Sequence, residues 1–448
     1  MRVMKWSMIA LAVAAGTSQY AMASAQDESK GFLEDSKLDL KTRAMYMNRD
    51  FKNGAGNTRR ANGTNGSGDN NPINGYREDS GISTLLNYES GFTQGTVGFG
   101  IDAMAMGAAR IDGGSGRAGN GLFANNKDGE PADTQSKAGA AVKLRLSNTV
   151  LKYGNQVVAS PVFSTDDGRL LPEVATGTLI TVDEIPGLNL IGGRFTAMSG
   201  QTGMGRDSIN GRSRDGSLRQ NPGLTSANII GGTYTGVENL SLGLHASDVQ
   251  DYWKKQYINA NYTLPITDDQ ALNFDLNAYR TNDDGKKLGG DVDNKVWSLA
   301  AAYSIGAHKF TLSHQRSSGD TGYAYGVDGG GTVFLNNSVQ ISDFVGKDEK
   351  SWGARYDINM ASYGVPGLSF MTRYISGYDV DTGVADARKG KENEWDTEAK
   401  YVIQEGPAKD LSMRVRYAHY RSTSAYSESN YDDLNDLRLI VEYPLSIL

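Results

Sequence analysis

Arg414 and Arg416 sit two residues apart in the stretch Leu411-Ser-Met-Arg-Val-Arg-Tyr-Ala-His-Tyr-Arg421, with Leu411, Met413, Val415 and Tyr417 on the other parity. Side chains of a strand alternate between its faces, so the stretch sets an apolar face against a cationic one. A guanidinium can hold a carboxylate through two hydrogen bonds, so a row of such cations suits capture of small carboxylates. The same parity puts Lys41, Arg43, Lys143, Arg145, Arg355, Arg373, Lys400 and Arg438 on polar faces elsewhere in the chain. A confined passage with low-dielectric walls focuses potential of one sign, so the set weighs more than any single member. The plainer reading is that a water-filled lumen is polar whatever crosses it. Asp39, Asp102, Asp275, Asp357 and Glu398 share these faces and are available to pair with the cations.

Bond-making chemistry has weaker signals. His245, His308, His314 and His419 are scattered, and neither an H-E-x-x-H nor a G-x-S-x-G pattern occurs. A Ser-His-Asp trio assembled in space would make a barrel-embedded hydrolase, the alternative of a different class. Gly113-Gly-Ser-Gly116 and Gly329-Gly-Gly331 lack the strand–loop–helix setting and the Gly-Lys-Ser/Thr ending of a phosphate loop. With no cysteine among 448 residues, disulfides and thiolate metal sites are excluded, and no cofactor is expected. A formal charge of −7 gives no reason to expect nucleic acid as a partner.

These cations need a scaffold, and the chain supplies strands. Residues 1–25 read as a signal peptide: Arg2 and Lys5, the short apolar run Met8–Ala15, then the small-x-small sites Ala21-Met-Ala23 and Ala23-Ser-Ala25. Residues 26–448 read as one domain. Only 38% of residues are apolar and no later segment is long enough for a membrane helix, while 55 glycines and 23 tyrosines suit strands joined by turns. Eighteen strands are expected, from Lys37–Asn48 through Gly81–Tyr88, Gly95–Ala103 and Ala138–Leu146 to Leu411–Arg421 and Leu437–Tyr443. Short turns such as Asp183-Glu-Ile-Pro-Gly187 alternate with long polar loops. That asymmetry predicts an all-β transmembrane antiparallel barrel in the outer membrane of a Gram-negative bacterium, with short periplasmic turns and long extracellular loops. Outward Trp352, Trp395, Tyr356, Tyr401 and Tyr443 read as an interfacial girdle. Arg280 and Arg421, outward at extracellular strand ends, suit the anionic headgroups of outer-membrane lipid and lipopolysaccharide.

Several stretches resemble the OprD-type specific porins, the outer-membrane carboxylate channels. They are Gly31–Leu40, Tyr88-Glu-Ser-Gly-Phe-Thr-Gln-Gly-Thr-Val-Gly-Phe-Gly100, Ala361-Ser-Tyr-Gly-Val-Pro-Gly-Leu368, Gly406-Pro-Ala-Lys-Asp-Leu-Ser412 and the ending Arg438–Leu448. The resemblance implies an eighteen-stranded barrel in which the third external loop folds inward and meets the seventh at an eyelet facing a ladder of basic residues. Carried onto this chain, the third loop is Gly154–Gly177, with Ser160, Arg169 and Pro172, and the seventh is Ser317–Phe344, with Asp320 and Asp328 as acidic partners. Small carboxylate-bearing solutes would pass by facilitated diffusion. An acidic eyelet would favour basic amino acids or small peptides over aromatic and other organic carboxylates. The family implies a monomer or a loose homotrimer.

Overall fold

The computed structural model describes residues 24–57, 74–114, 116–125, 130–209, 223–383, 389–427 and 432–448. Arg2, Lys5, the apolar run Met8–Ala15 and Ala21-Met-Ala23 lie outside them, as does Ser115 of one glycine-rich segment.

Wherever the sequence alternates, the chain is extended. The strands are β1 (Lys37–Phe51), β2 (Tyr76–Glu89), β3 (Val97–Asp112), β4 (Thr134–Leu146), β5 (Thr149–Gln156) and β6 (Val174–Ile185). Then come β7 (Leu188–Ser199), β8 (Ala227–Val237), β9 (Leu240–Val249), β10 (Trp253–Thr267), β11 (Gln270–Asp283) and β12 (Asp293–Ile305). The last are β13 (His308–Ser318), β14 (Lys350–Asn359), β15 (Leu368–Val380), β16 (Gly390–Val402), β17 (Ser412–Ser422) and β18 (Leu434–Ser446). Each pairs antiparallel with its neighbours in the chain, and β18 pairs with β1, so the eighteen-stranded sheet closes. Closure leaves the sheet without an open edge, a condition for a sheet to cross a bilayer.

Two-residue turns join β4 to β5, β6 to β7, β8 to β9, β10 to β11 and β12 to β13, all at one end of the barrel. Ser147, Gly187, Asn239 and Gly306 adopt positive φ in four of them (55°, 78°, 62° and 53°), as tight hairpin turns require. At the other end most strands run several residues past the apolar alternation. β2 begins at Tyr76 rather than Gly81, and β3 ends at Asp112 rather than Ala103. Near the rim both faces meet water or loop, so the wall continues where the period-two signal has faded.

The outer face is apolar and unpartnered. Leu244, Leu312, Ile230, Ile258 and Phe310 are each 48% exposed or more, the mark of a lipid-facing band. The inner face is polar but not empty. Phe163, Phe195, Trp253, Tyr257, Tyr279, Tyr323 and Val327 form one buried apolar cluster inside the barrel. Met45, Met47, Leu85, Met106, Phe123, Leu170 and Leu171 form another. Both draw on loops that turn inward, and burying each large apolar side chain contributes about 1.5–3 kcal/mol to holding them there.

Candidate functional site

All ten cations singled out from the sequence lie on the inner face, but they do not form one ladder. Eight lie on the contiguous strands β14, β15, β16, β17, β18 and β1. Register orders them: Arg355 is opposite Arg373, which is opposite Asp396. One row further, Glu398 is opposite Arg416, which is opposite Arg438. Lys400 is opposite Arg414. Glu442 is opposite both Ser412 and Arg43, and Lys41 lies opposite Pro444. The two others, Lys143 and Arg145 on β4, stand apart near a periplasmic turn. Lys143 pairs with Asp102 at 2.6 Å, and Arg145 donates to Gln26 Oε1 at 2.9 Å and lies over the Phe92 ring.

Carboxylates interleave this basic wall. Arg355 pairs with Asp357 at 2.6 Å, Arg373 with Asp396 at 2.7 Å and Arg438 with Asp436 at 2.6 Å. Arg43 donates to Glu442 at 2.7 Å, and Arg416 donates to Glu398. Arg414 reaches Glu398 only at 3.7 Å, and among the described residues Lys400 forms no ion pair. The cross-strand neighbours Lys400 and Arg414 are therefore the rungs with the most unspent hydrogen-bonding capacity.

The third loop, residues 157–173, lies inside the barrel. It is shorter than the sequence suggested because β5 and β6 continue past Gly154 and Gly177, which pair with each other, to Gln156 and Val174. Gly154, at φ +139°, could not carry a Cβ, which would fall 2.3 Å from the Ala140 carbonyl oxygen. Leu170 and Leu171 bury in the Met45–Phe123 cluster, and Phe163 stacks on Phe195 with centroids 4.4 Å apart. Polar ties finish the docking: Ser83 Oγ donates to the Leu170 carbonyl at 2.8 Å, and Arg169 Nε donates to Asn120 O at 2.9 Å. The exposed carboxylate of Asp167 meets Arg43 at 2.8 Å and Lys41 at 3.0 Å. Desolvation by the surrounding loop and wall opposes its charge, but the hydrogen bond and attraction from Arg43, with Lys41 adding to them, hold its carboxyl below the usual carboxylate range.

The seventh loop, residues 319–349, packs against the inner wall from β10 round to β18. Asp328 pairs with Lys255 at 2.6 Å and accepts from Trp253 Nε1 at 3.1 Å. Gln340 Nε2 donates to Asp436 at 2.7 Å, and the Ile341 and Ser342 amides donate to Glu394 at 2.8 and 2.9 Å. The two loops touch: Ser164 N donates to Asp328 O at 3.0 Å, Gly331 N to Ser164 O at 3.1 Å, and Gly330 N to Glu173 Oε2 at 2.9 Å.

The structure redistributes the five expected constriction residues. Ser160 is 1% exposed, its backbone carbonyl accepting from Phe163 N at 3.1 Å within its own loop. Pro172 is buried, its carbonyl accepting from Lys137 Nζ at 2.7 Å. Asp328 is sealed completely by Lys255, Trp253 and Tyr323, so it cannot meet a solute. Asp320 is exposed at the outer end of its loop, within electrostatic range of Lys347. Arg169 is partly exposed beside Arg438 and Arg49, its guanidinium donating to the Asn120 and Gly168 carbonyls at 2.9 Å each.

Several charged residues on the pathway escaped sequence reading, Asp396 and Asp436 of the wall among them. Arg49, at 2.9 Å from Asp436, lies beyond the apolar alternation of β1. Lys152, which pairs with Asp102, and Lys309, opposite Asp357, stand at inward parity, so alternation alone would have found them. Asp167 sits in a loop, where no period exists to find it. As for the histidines, His308, His314 and His419 share the outward parity of Phe310, Leu312 and Tyr417, while His245 is buried on the inner face of β9.

A closed eighteen-stranded barrel with an apolar exterior, a charged interior and two loops folded into its lumen is an outer-membrane porin. Residues 30–447 match the family described as outer membrane porin, OprD family, and the chain belongs to that family. It is 46% identical to Porin D of Pseudomonas aeruginosa, with both chains covered in full. Among solved structures, Acinetobacter baumannii OccAB1 superposes with a TM-score of 0.84 at 30% identity, covering 95% of this chain and all of that one. Pseudomonas aeruginosa OpdK, solved with vanillate, gives 0.80 at 31% identity, covering 93% of this chain and all of that one. The protein is accordingly a channel of the Gram-negative outer membrane rather than an enzyme.

Proposed function

We propose that this porin admits small carboxylate-bearing solutes by facilitated diffusion, and that those with a positive group at the far end pass best. The carboxylate travels along the wall from Arg355 to Lys41, and Lys400 with Arg414 is its principal station. The observation that carries this reading is that these two cations are cross-strand neighbours with, among the described residues, no carboxylate nearer than 3.7 Å. The other arginines of the wall are already engaged and act mainly through the field they contribute.

The acidic end of the selectivity device moves from Asp320 and Asp328 to Asp275 on β11. Its carboxylate accepts from Asn261 at 2.8 Å and Asn277 at 2.6 Å, and it lies within electrostatic range of Lys309, at the start of the basic wall. An ammonium held there while its carboxylate meets the wall describes a basic amino acid or a short peptide. The competing reading, aromatic carboxylates, is supported by the relative solved with vanillate. A liposome uptake panel of lysine, arginine, dipeptides, benzoate and vanillate separates them. Fast entry of lysine and arginine supports our reading, and faster entry of the aromatic acids defeats it.

A further inference from the structure

Outside the pore, β11, β12, β13 and β14 carry basic residues that the transport pathway does not use. Arg280, Lys295 and Arg316 are all exposed on the outer face. Arg280 is directly opposite Lys295. Arg316 is opposite Trp297, one step along the outer face from Lys295, and on its other side is opposite Lys350. Cross-strand partners lie about 4.5–5.5 Å apart and diagonal ones about 7–8 Å, so these groups form a single patch. Carboxylates close by are already engaged: Asp284 by Lys254 at 2.8 Å, Asp379 by Lys350 at 2.9 Å. Asp293 accepts the Asn282 amide at 3.1 Å. Among the described residues, Arg280, Lys295 and Arg316 form no ion pair.

The patch sits at a defined depth. His308, at the periplasmic turn, is bonded to Tyr356 and Tyr363 at 2.8 and 3.0 Å, marking the inner girdle. Eight residues separate it from Arg316, about 26 Å of strand and roughly 20 Å of membrane at the usual strand tilt. Arg316 therefore lies at the outer edge of the apolar band. Immediately below runs an aromatic shelf across three strands, with Trp297 to His314 at 5.4 Å and His314 to Trp352 at 4.3 Å between ring centroids. Trp297 and Trp352 are 37% and 57% exposed. Elsewhere on the outer rim, Lys391 on β16 and Arg421 on β17 are a diagonal pair, and Arg194 on β7 lies opposite Thr178 and Asn228.

We propose that this patch is a binding site for the phosphorylated glucosamine headgroup of lipopolysaccharide in the outer leaflet. Arg280, Lys295 and Arg316 hold its phosphates, and Trp297 and Trp352 support the sugar and the first carbons of its chains. Unpaired cations at the interface match a headgroup carrying several phosphates on one rigid disaccharide, and the aromatic shelf matches its amphipathic edge. A phospholipid with one phosphate would engage only part of the patch.

Native mass spectrometry of the detergent-purified porin tests this, with lipid A carrying both phosphates as the probe. The triple variant Arg280→Gln/Lys295→Gln/Arg316→Gln is expected to bind it at least about tenfold more weakly, given the contribution of each basic residue near an anionic surface. Arg194→Gln is expected to bind as the parent does. Heat-modifiable gel mobility and conductance in a bilayer free of lipopolysaccharide verify that the triple variant is folded and open. Trp297→Ala/Trp352→Ala, with every cation retained, is expected to weaken binding of the acylated lipid more than that of its deacylated headgroup. Equal binding by the triple variant, by lipid A stripped of phosphate, or by phosphatidylglycerol would each overturn the proposal.

Discussion

The Lys255 ammonium and the Asp328 carboxylate are 2.6 Å apart, and neither side chain meets solvent. The ammonium also lies 4.4 Å from the Tyr323 ring centroid, so strand β10 holds the seventh loop by charge and by aromatic contact together. The Asp328 backbone carbonyl in turn accepts from Ser164 of the third loop. Lys255→Met should leave a buried carboxylate without its counter-ion, costing about 3–5 kcal/mol, whereas replacing both partners with apolar side chains should be nearly neutral. Thermal unfolding in detergent checks the pair: a lower midpoint for Lys255→Met, restored in Lys255→Met/Asp328→Leu. Single-channel recording should show a larger and noisier open state in the single variant. A midpoint that stays low in the double variant would mean that the pair does more than neutralise itself.

Lys400→Gln/Arg414→Gln should lower carboxylate uptake about tenfold, the lower end of what focused charge contributes to capture rates. Arg438→Gln should behave differently. Its guanidinium is spent on Asp436 and on the Gln340 carbonyl, at 2.6 and 3.2 Å, so its loss disturbs the seventh loop more than the capture of a solute. Uptake of radiolabelled arginine into liposomes, read beside conductance, distinguishes the two. Lost uptake at unchanged conductance is expected only for the first variant.

Strand after strand, the barrel wall was legible because alternation is local: Val415 and Arg416 reveal opposite faces without reference to any other strand. The same property identified the inward cations, and by that rule Lys309 and Lys152 were within reach as well. Pairing was not legible. Arg43 meets Asp167 across 124 positions of chain, and nothing periodic in either segment announces it. The expectation that Asp328 faces the pore failed for the same reason, since Lys255 and Trp253, which enclose it, lie 73 and 75 positions away. An inward loop has two faces, one toward the wall and one toward the water, and sequence alone does not say which residue takes which.

Asp167 tempers the basic wall where the third loop meets it. Asp167→Asn should release Lys41 and part of Arg43, raising the preference for anions, measured as a shift of reversal potential in a salt gradient. Acid should do the same only at low pH. The carboxyl is held below its ordinary value of about 3.9, so its ion pairs persist above that value and are lost as pH falls through the lowered one. Between pH 7 and 5 the anion preference of the parent should therefore be flat as far as this group is concerned. An equal preference in Asp167→Asn and parent would show that Glu442, at 2.7 Å, already neutralises Arg43.

Gly81 offers a way to move the third loop without touching a charge. It faces the lumen from β2, and a Cβ there would fall 2.6 Å from Phe123 Cζ and 2.7 Å from Leu170 Cδ1. Both contacts belong to the apolar cluster that seats the loop, and a packed interior absorbs added volume only by shifting side chains or backbone. Gly81→Val should therefore displace Leu170 together with Arg169, whose carbonyl accepts from Arg43. The expected cost is about 1–3 kcal/mol. It should appear as a lower unfolding midpoint and, in single channels, as a changed conductance with the cation set intact. Gly95→Val, at a periplasmic turn where a Cβ would meet nothing within 4 Å, is the comparison. Its φ of +113° is strained for valine, so it should lose stability while leaving conductance alone. Equal conductance in both variants would separate the seating of the third loop from the width of the pore.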